Sequence, residues 1–176
     1  MKSYRLISII AIVCIALINY NCSKDVSVTP QTETVATTVE EKVIQGLRAA
    51  SNAAIAARDS VKASVDAAPD YTIITARSFE GKGPALLRRL WYLEFTTKKE
   101  VMYVRTPDKI QVYENWNMGS EIGHCTGSWV ESDGKLQLEG TYLAKWHKLN
   151  GQWKMRSEVF VPTNCKGSIA CDKRPF

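Results

Sequence analysis

Two runs of alternating apolar and polar residues flank Asn150-Gly151 near the end of the chain. In the first run, Tyr142 and Trp146 fall on the same face of a strand. Alternation with a period of two is typical of a half-buried antiparallel strand, and Asn-Gly accepts the positive φ angles of a two-residue turn. The pattern predicts a β-hairpin over residues 139–162, whose aromatic face needs cover from the rest of the chain.

A helical pattern precedes the strands. Thr38 and Glu41 have the spacing of a capping box, and apolar and small residues then recur with helical periodicity. This predicts a helix over residues 39–58. A second, short helix is expected over residues 60–67, because the residue before Pro69 resists the helical conformation.

The middle of the chain alternates short apolar runs with turn residues. A strand is predicted at 71–77 and a helix at 85–95, followed by strands at 101–105, 110–113, 120–131 and 136–149. Pro107-Asp108 is expected to turn the chain between two of these strands. Helices on one face of a curved antiparallel sheet make an α+β fold.

The N-terminus carries an export pattern. Residues 1–21 begin with two basic residues and continue with a short apolar core, which is typical of a secretory signal rather than a spanning helix. Cys22 follows, and Cys22-Ser-Lys-Asp resembles the start of a mature bacterial lipoprotein, in which the cysteine is acylated. We therefore expect a lipid anchor at the bacterial cell envelope, a flexible tether over 22–37 and a domain over 38–176. The alternative is an ordinary secreted protein, because Asn19-Tyr20-Asn21 lacks the small residues that usually precede such a cysteine.

Charge and histidine content exclude some functions. The formal net charge of +5 falls to +3 without residues 1–21, and the charges are scattered, so nucleic-acid binding is not indicated. His124 and His147 are isolated from one another, and no zinc, hydrolase or phosphate-loop motif is present. No metal or other cofactor is expected.

Short motifs along residues 39–171 share an order and spacing with a known family. They are Asn52-Ala-Ala-Ile55, Arg58-Asp59, Glu121-Ile-Gly123, Gly127-Ser-Trp129, Gly140-Thr-Tyr142 and Gly151-Gln-Trp153-Lys154. Together they resemble the SnoaL-like group of the nuclear transport factor 2-like superfamily, in particular its secreted members of unassigned function. The resemblance implies a cone-shaped, cystatin-like α+β domain with a pocket, and homodimers formed through the sheet. It implies no single reaction, because the superfamily includes enzymes, binding domains and assembly domains.

Glu121 and Cys125 share the predicted pocket face of one strand. Related sequences often carry tryptophan at the position of Cys125, so the smaller thiol predicts a wider pocket. A carboxylate on an apolar face has a raised pKa and could act as a base. The favoured alternative is that Glu121 forms an ion pair with Arg105 or Arg156.

Aromatic residues complete the predicted pocket, and their alternative role is plain core packing. The candidate ligand-binding residues are Trp91, Tyr103, Glu121, Cys125, Trp129, Tyr142 and Trp146. For an enzyme, the catalytic candidates are Glu121, Tyr142 and Glu158. A buried Tyr142 hydroxyl needs a partner, and Glu158 qualifies if a bulge reverses the alternation of the last strand.

The cysteines near the C-terminus have a separate role. Cys165 and Cys171 close a short loop after the last strand of an exported chain, so we expect a disulfide there. Cys125 is then left as a free, structural thiol.

The leading functional hypothesis is a lipid-anchored domain that binds a small apolar or amphipathic molecule in its cone. One alternative is an isomerase- or dehydratase-type enzyme with a carboxylate base in the pocket. Another is a non-catalytic dimerisation module whose cone is filled by its own side chains. An open cavity would argue against the last, and an unpaired buried carboxylate would favour the enzyme.

Overall fold

A capped helix begins the part of the chain that the computed structural model describes, residues 38–172. The predicted signal, Cys22 and the tether lie outside the described residues. Helix α1 runs over Val39–Ala56. The Glu41 N–H donates to Thr38 Oγ1 (3.2 Å) and the Thr38 N–H to Glu41 Oε2 (2.8 Å), so the predicted capping box is present.

The buried stripe of α1 lies against the sheet. Ile44, Arg48, Ser51 and Ile55 recur at helical spacing and are buried. The helix ends two residues before the predicted limit, and Arg58 adopts a positive φ of 57°. The long helix is therefore confirmed, but its stripe contains an arginine.

The predicted second helix is wrong. Only a single 3₁₀ turn, Lys62–Ser64, forms in this segment. Strand β1 covers Ala67–Ile74 and includes Pro69. Its register against the last strand shifts between Ala67 and Thr72, so the proline falls in an interruption of the ladder, where its missing N–H removes no regular hydrogen bond.

A short strand and a second helix follow. Strand β2 spans Glu80–Lys82, and helix α2 spans Pro84–Thr97, with Pro84 in its first turn. The predicted helix at 85–95 is confirmed and extends by one residue before and two after. Within residues 38–172, no helix is long and apolar enough to cross a membrane.

Four long strands form the rest of the sheet: β3 (Lys99–Tyr113), β4 (Met118–Glu131), β5 (Gly134–Leu149) and β6 (Gln152–Lys166). The turn predicted at Pro107-Asp108 is wrong, because β3 continues through it. The register with β4 shifts between Pro107 and Lys109, so a bulge accommodates the proline and bends the strand.

The six strands in the described part of the chain are ordered β2-β1-β6-β5-β4-β3. The β5–β6 hairpin turns at Asn150-Gly151, with φ angles of 50° and 78°, as predicted. The α+β class is confirmed, but the sheet is mixed rather than antiparallel, because β1 runs parallel to β6. Cys165 and Cys171 are joined by a disulfide after β6.

Candidate ligand-binding cavity

A cavity of about 280 Å³ lies between α2, the loop after β1 and the inner face of β3 to β6. Its wall is mostly apolar. Residues from all of these elements contribute, among them Ile73, Phe79, Leu87, Leu90, Leu138 and Phe160. The cone is therefore not filled by its own side chains.

An aromatic wall occupies one side of this cavity. The ring of Trp91 meets that of Tyr103 edge-on, with 5.7 Å between centroids, and Tyr103 is 6.1 Å from Trp129. These three residues and Cys125 line the cavity. The structure thus brings four of the seven predicted ligand-binding residues together.

The other three predicted residues lie in a buried polar network. Glu121 is fully buried and accepts hydrogen bonds from Tyr142 Oη at 2.5 Å and from Trp146 Nε1 at 2.7 Å. None of these three side chains lines the cavity. They form part of the core instead.

Arg48 is the centre of the network. Its Nε donates to Glu121 Oε1 at 2.7 Å and its Nη2 to Glu121 Oε2 at 3.0 Å, a bidentate pair. Its Nη1 lies 2.8 Å from Glu158 Oε1. This contact is a second buried ion pair of the same guanidinium.

Glu158 lines the cavity but is also paired. Arg105 Nη1 donates to Glu158 Oε1 at 3.2 Å, and Tyr71 Oη donates to Oε2 at 2.8 Å. Burial raises the pKa of Glu158, but the guanidiniums of Arg48 and Arg105 outweigh it and hold the pKa below its usual value. Because this carboxylate stays ionised and paired, it is a weak general base.

Arg105 is held on its other side by α1. Its Nη2 donates to Ser51 Oγ at 2.8 Å, and its backbone N–H donates to the Asn52 side-chain oxygen at 3.2 Å. Asn52 returns a hydrogen bond to the Arg105 carbonyl at 2.8 Å. Arg105 is therefore fixed in the cavity wall and has little freedom to meet a ligand.

The prediction that Glu121 forms an ion pair with an arginine is confirmed, but the partners named for it were wrong. Arg105 pairs with Glu158, and Arg156 pairs with Asp70 at the surface (2.5 Å). Arg48 was missed, although it falls on the buried stripe of α1, four residues after Ile44. That position was the available signal, because an arginine on an apolar stripe needs a buried carboxylate.

The bulge proposed for β6 is present. The register with β5 shifts between Lys145 and Trp146, opposite Arg156, and Glu158 consequently points inward. However, the partner of Glu158 is Tyr71, and Tyr142 pairs with Glu121. The reversal of the alternation in β6 was therefore predicted correctly, but the hydrogen-bond partner of Glu158 was not.

A second polar group lies on the aromatic side of the cavity. Lys98 Nζ is 2.6 Å from Glu94 Oε2 and donates to Tyr103 Oη at 2.8 Å. Its Nζ also lies 3.6 Å from the centre of the Trp129 ring. Burial lowers the pKa of Lys98, against the opposing effect of Glu94. Sequence reasoning missed this lysine, because nothing in its spacing distinguishes it from a surface residue at a helix end.

The remaining candidates have ordinary surroundings. Cys125 is a free, half-buried thiol, and burial raises its pKa. His124 is exposed and contacts Asp108 at 2.8 Å, and His147 contacts Arg156 at 2.9 Å. Neither histidine lines the cavity.

Comparisons with known proteins identify the fold. No protein-family model matches the chain, and no curated protein matches its sequence. A solved structure described as a scytalone dehydratase from Novosphingobium aromaticivorans is 14% identical, with a TM-score of 0.65, over 74% of this chain and 88% of that one. A hexachlorocyclohexane dehydrochlorinase from Novosphingobium barchaimii is 15% identical, with a TM-score of 0.64, over 73% and 90%. A cystatin-like domain of unknown function from Nostoc punctiforme is 13% identical, with a TM-score of 0.61, over 73% and 80%. At these identities the similarity shows a shared fold, that of the cystatin-like, nuclear transport factor 2-like domains.

Proposed function

We propose that this nuclear transport factor 2-like domain binds a small apolar or amphipathic molecule. The observation that carries the proposal is the cavity of about 280 Å³ with its mostly apolar wall. Ligand sites in proteins are concave and mostly apolar, with volumes from roughly 300 Å³ upward. The cavity is at the small end of this range, which suits a compact molecule of one or two rings.

Binding without catalysis agrees best with the ion pairing of the two buried carboxylates, Glu121 and Glu158. Two of the structural neighbours are described as a dehydratase and a dehydrochlorinase, so the fold supports such chemistry elsewhere. In this chain, Glu158 is paired with two guanidiniums, and Glu121 is held by Arg48 outside the cavity wall. A lyase or isomerase would need a base with an uncommitted proton-accepting site at the substrate.

Filling the cavity tests the proposal. Cys125→Trp is expected to abolish binding of 1-naphthylamine, a two-ring apolar fluorophore, and to leave the unfolding temperature unchanged or raised. The indole would occupy space that the thiol leaves open. Fluorescence titration and thermal unfolding of the purified domain give the two readouts.

Ile122→Trp is the matched control. Ile122 lies on the same strand, but on the opposite, solvent-exposed face. That variant should bind the fluorophore as the wild type does. If Cys125→Trp instead unfolds about 1–3 kcal/mol more easily, as overpacked cores do, the cavity is not open and the binding proposal fails.

We also propose that the domain is exported and held at the cell envelope through an acylated Cys22. The motivating features are the N-terminal signal pattern and Cys22 directly after it. Cys22→Ala should move the protein from the membrane fraction to the soluble fraction, whereas Cys14→Ala, within the apolar core, should not. Membrane partitioning that survives Cys22→Ala would contradict the anchor.

A further inference from the structure

We propose that the ligand is an organic acid carrying one negative charge, and that Arg77 at the edge of the cavity binds this charge. The inference rests on the proposed binding function and names its ligand class. The aromatic wall holds the apolar body of the acid.

One of the cations that line the cavity has no ion-pair partner among residues 38–172. Among residues 38–172, six charged side chains line it, three of each sign: Arg77, Lys98, Arg105, Glu94, Glu139 and Glu158. Most of them are paired. Lys98 lies 2.6 Å from Glu94, and Arg105 lies 3.2 Å from Glu158.

The remaining carboxylate is neutralised from outside. Glu139 lies 3.4 Å from Lys166 and accepts a hydrogen bond from Asn164 at 3.3 Å. The guanidinium of Arg77, by contrast, makes no ion pair or hydrogen bond with any residue from 38 to 172. Arg77, which is exposed, is therefore the cation in the cavity wall that remains free to pair with a ligand.

Arg77 is placed next to the aromatic wall. The loop that carries it closes with a hydrogen bond from the Thr75 N–H to the Phe79 carbonyl at 3.0 Å, and Ser78 has a positive φ of 58°. Arg77 and Lys98 both line the cavity. Burial, and after it the charge of Arg77, lower the pKa of Lys98, against the opposing effects of Glu94 and Glu131. A carboxylate there would meet the planar fork of an arginine, which matches its two oxygens.

The same arrangement disfavours other head groups. A dianion such as a phosphate monoester would place a second negative charge near Glu94. Lys98 is already paired with Glu94, so no further cation is available to this second charge. A neutral ligand would gain no charge-assisted hydrogen bond from Arg77, whose exposed guanidinium would stay hydrated. The rings of Trp91, Tyr103 and Trp129 offer a flat apolar surface, so an acid with an aromatic or alicyclic body fits best.

Two probes of equal shape test the assignment, namely 2-naphthoate and 2-naphthamide. The wild-type domain should bind the acid about tenfold more tightly than the amide at low salt, because a partly exposed, charge-assisted hydrogen bond is worth roughly that factor. Arg77→Gln should weaken binding of the acid to the level of the amide and leave the amide unaffected. Calorimetric titration measures all four affinities.

Arg89→Gln is the control, because it removes the same charge from an exposed position of α2 that does not line the cavity. That variant should keep the preference for the acid. Equal binding of both probes by the wild type would overturn the organic-acid assignment and leave the binding function intact. A preference that survives Arg77→Gln would overturn the role of Arg77, and failure of both probes to bind would overturn the binding function itself.

Discussion

Arg48→Met is expected to destabilise the folded domain by about 3–5 kcal/mol, the usual cost of removing one partner from a buried ion pair. Arg48 is 1% exposed and contacts two carboxylates that are equally buried, Glu121 and Glu158. Methionine fills most of the same volume, so the loss reports charge rather than a void. Glu158 would retain Arg105, but Glu121 would retain only the neutral donors Tyr142 and Trp146.

Urea unfolding followed by tryptophan fluorescence measures the free energy, by linear extrapolation. Lys42→Met is the matched control, because it removes an exposed cation from the same helix and should change stability by less than about 0.5 kcal/mol. Adding Glu121→Gln to Arg48→Met should restore part of the loss, since the orphaned charge is then gone. A cost below about 1 kcal/mol for Arg48→Met, or no recovery in the double variant, would show that Glu121 is not held by this pair.

The buried network around Arg48 also shows which features of the fold can be predicted from the sequence and which cannot. Periodicity predicts which face of α1 is buried and which faces of β4 and β5 point inward, because burial follows from spacing alone. Spacing does not tell which of several arginines meets a given carboxylate. That pairing joins Arg48 to Glu121, which lie 73 residues apart in the chain.

Two local errors both involve a proline. Pro69 was interpreted as ending a helix, because the residue before a proline resists the helical conformation, and Pro107 as part of a turn. Each instead lies within a strand, at or beside a register shift, where no regular hydrogen bond is required. A single sequence does not distinguish a proline that ends an element from one placed at a register shift within a strand.

The cavity was predicted only in part. Trp91, Tyr103, Cys125 and Trp129 line it as expected, because strand alternation and helix spacing place them inward. Lys98 and Arg77 were not anticipated. Arg77 lies in the loop after β1, and Lys98 lies between α2 and β3. In such segments the direction of a side chain depends on the path of the loop, and not on the periodicity of a helix or strand.

The glycines of β4 leave room either for a bent backbone or for a ligand. Gly123 serves the backbone. It pairs with Pro107 at the bend of β3 and does not line the cavity. A Cβ at this position would overlap the Thr106 carbonyl oxygen and would lie 2.8 Å from Tyr142 Cε1 and 3.0 Å from Pro107 Cα.

Gly123→Ala is therefore expected to destabilise the domain by about 1–3 kcal/mol, as overpacking does where the neighbour is backbone and cannot move aside. Gly46→Ala is the matched control, since a Cβ there meets nothing within 4 Å on the exposed side of α1. That change should raise stability by roughly 0.5–1 kcal/mol, because alanine loses less backbone entropy in a helix. Urea unfolding of the two variants should consequently shift in opposite directions. If Gly123→Ala is neutral, β3 and β4 are not held in the close approach that bends this end of the sheet, and the bend must arise from the bulge at Pro107 alone.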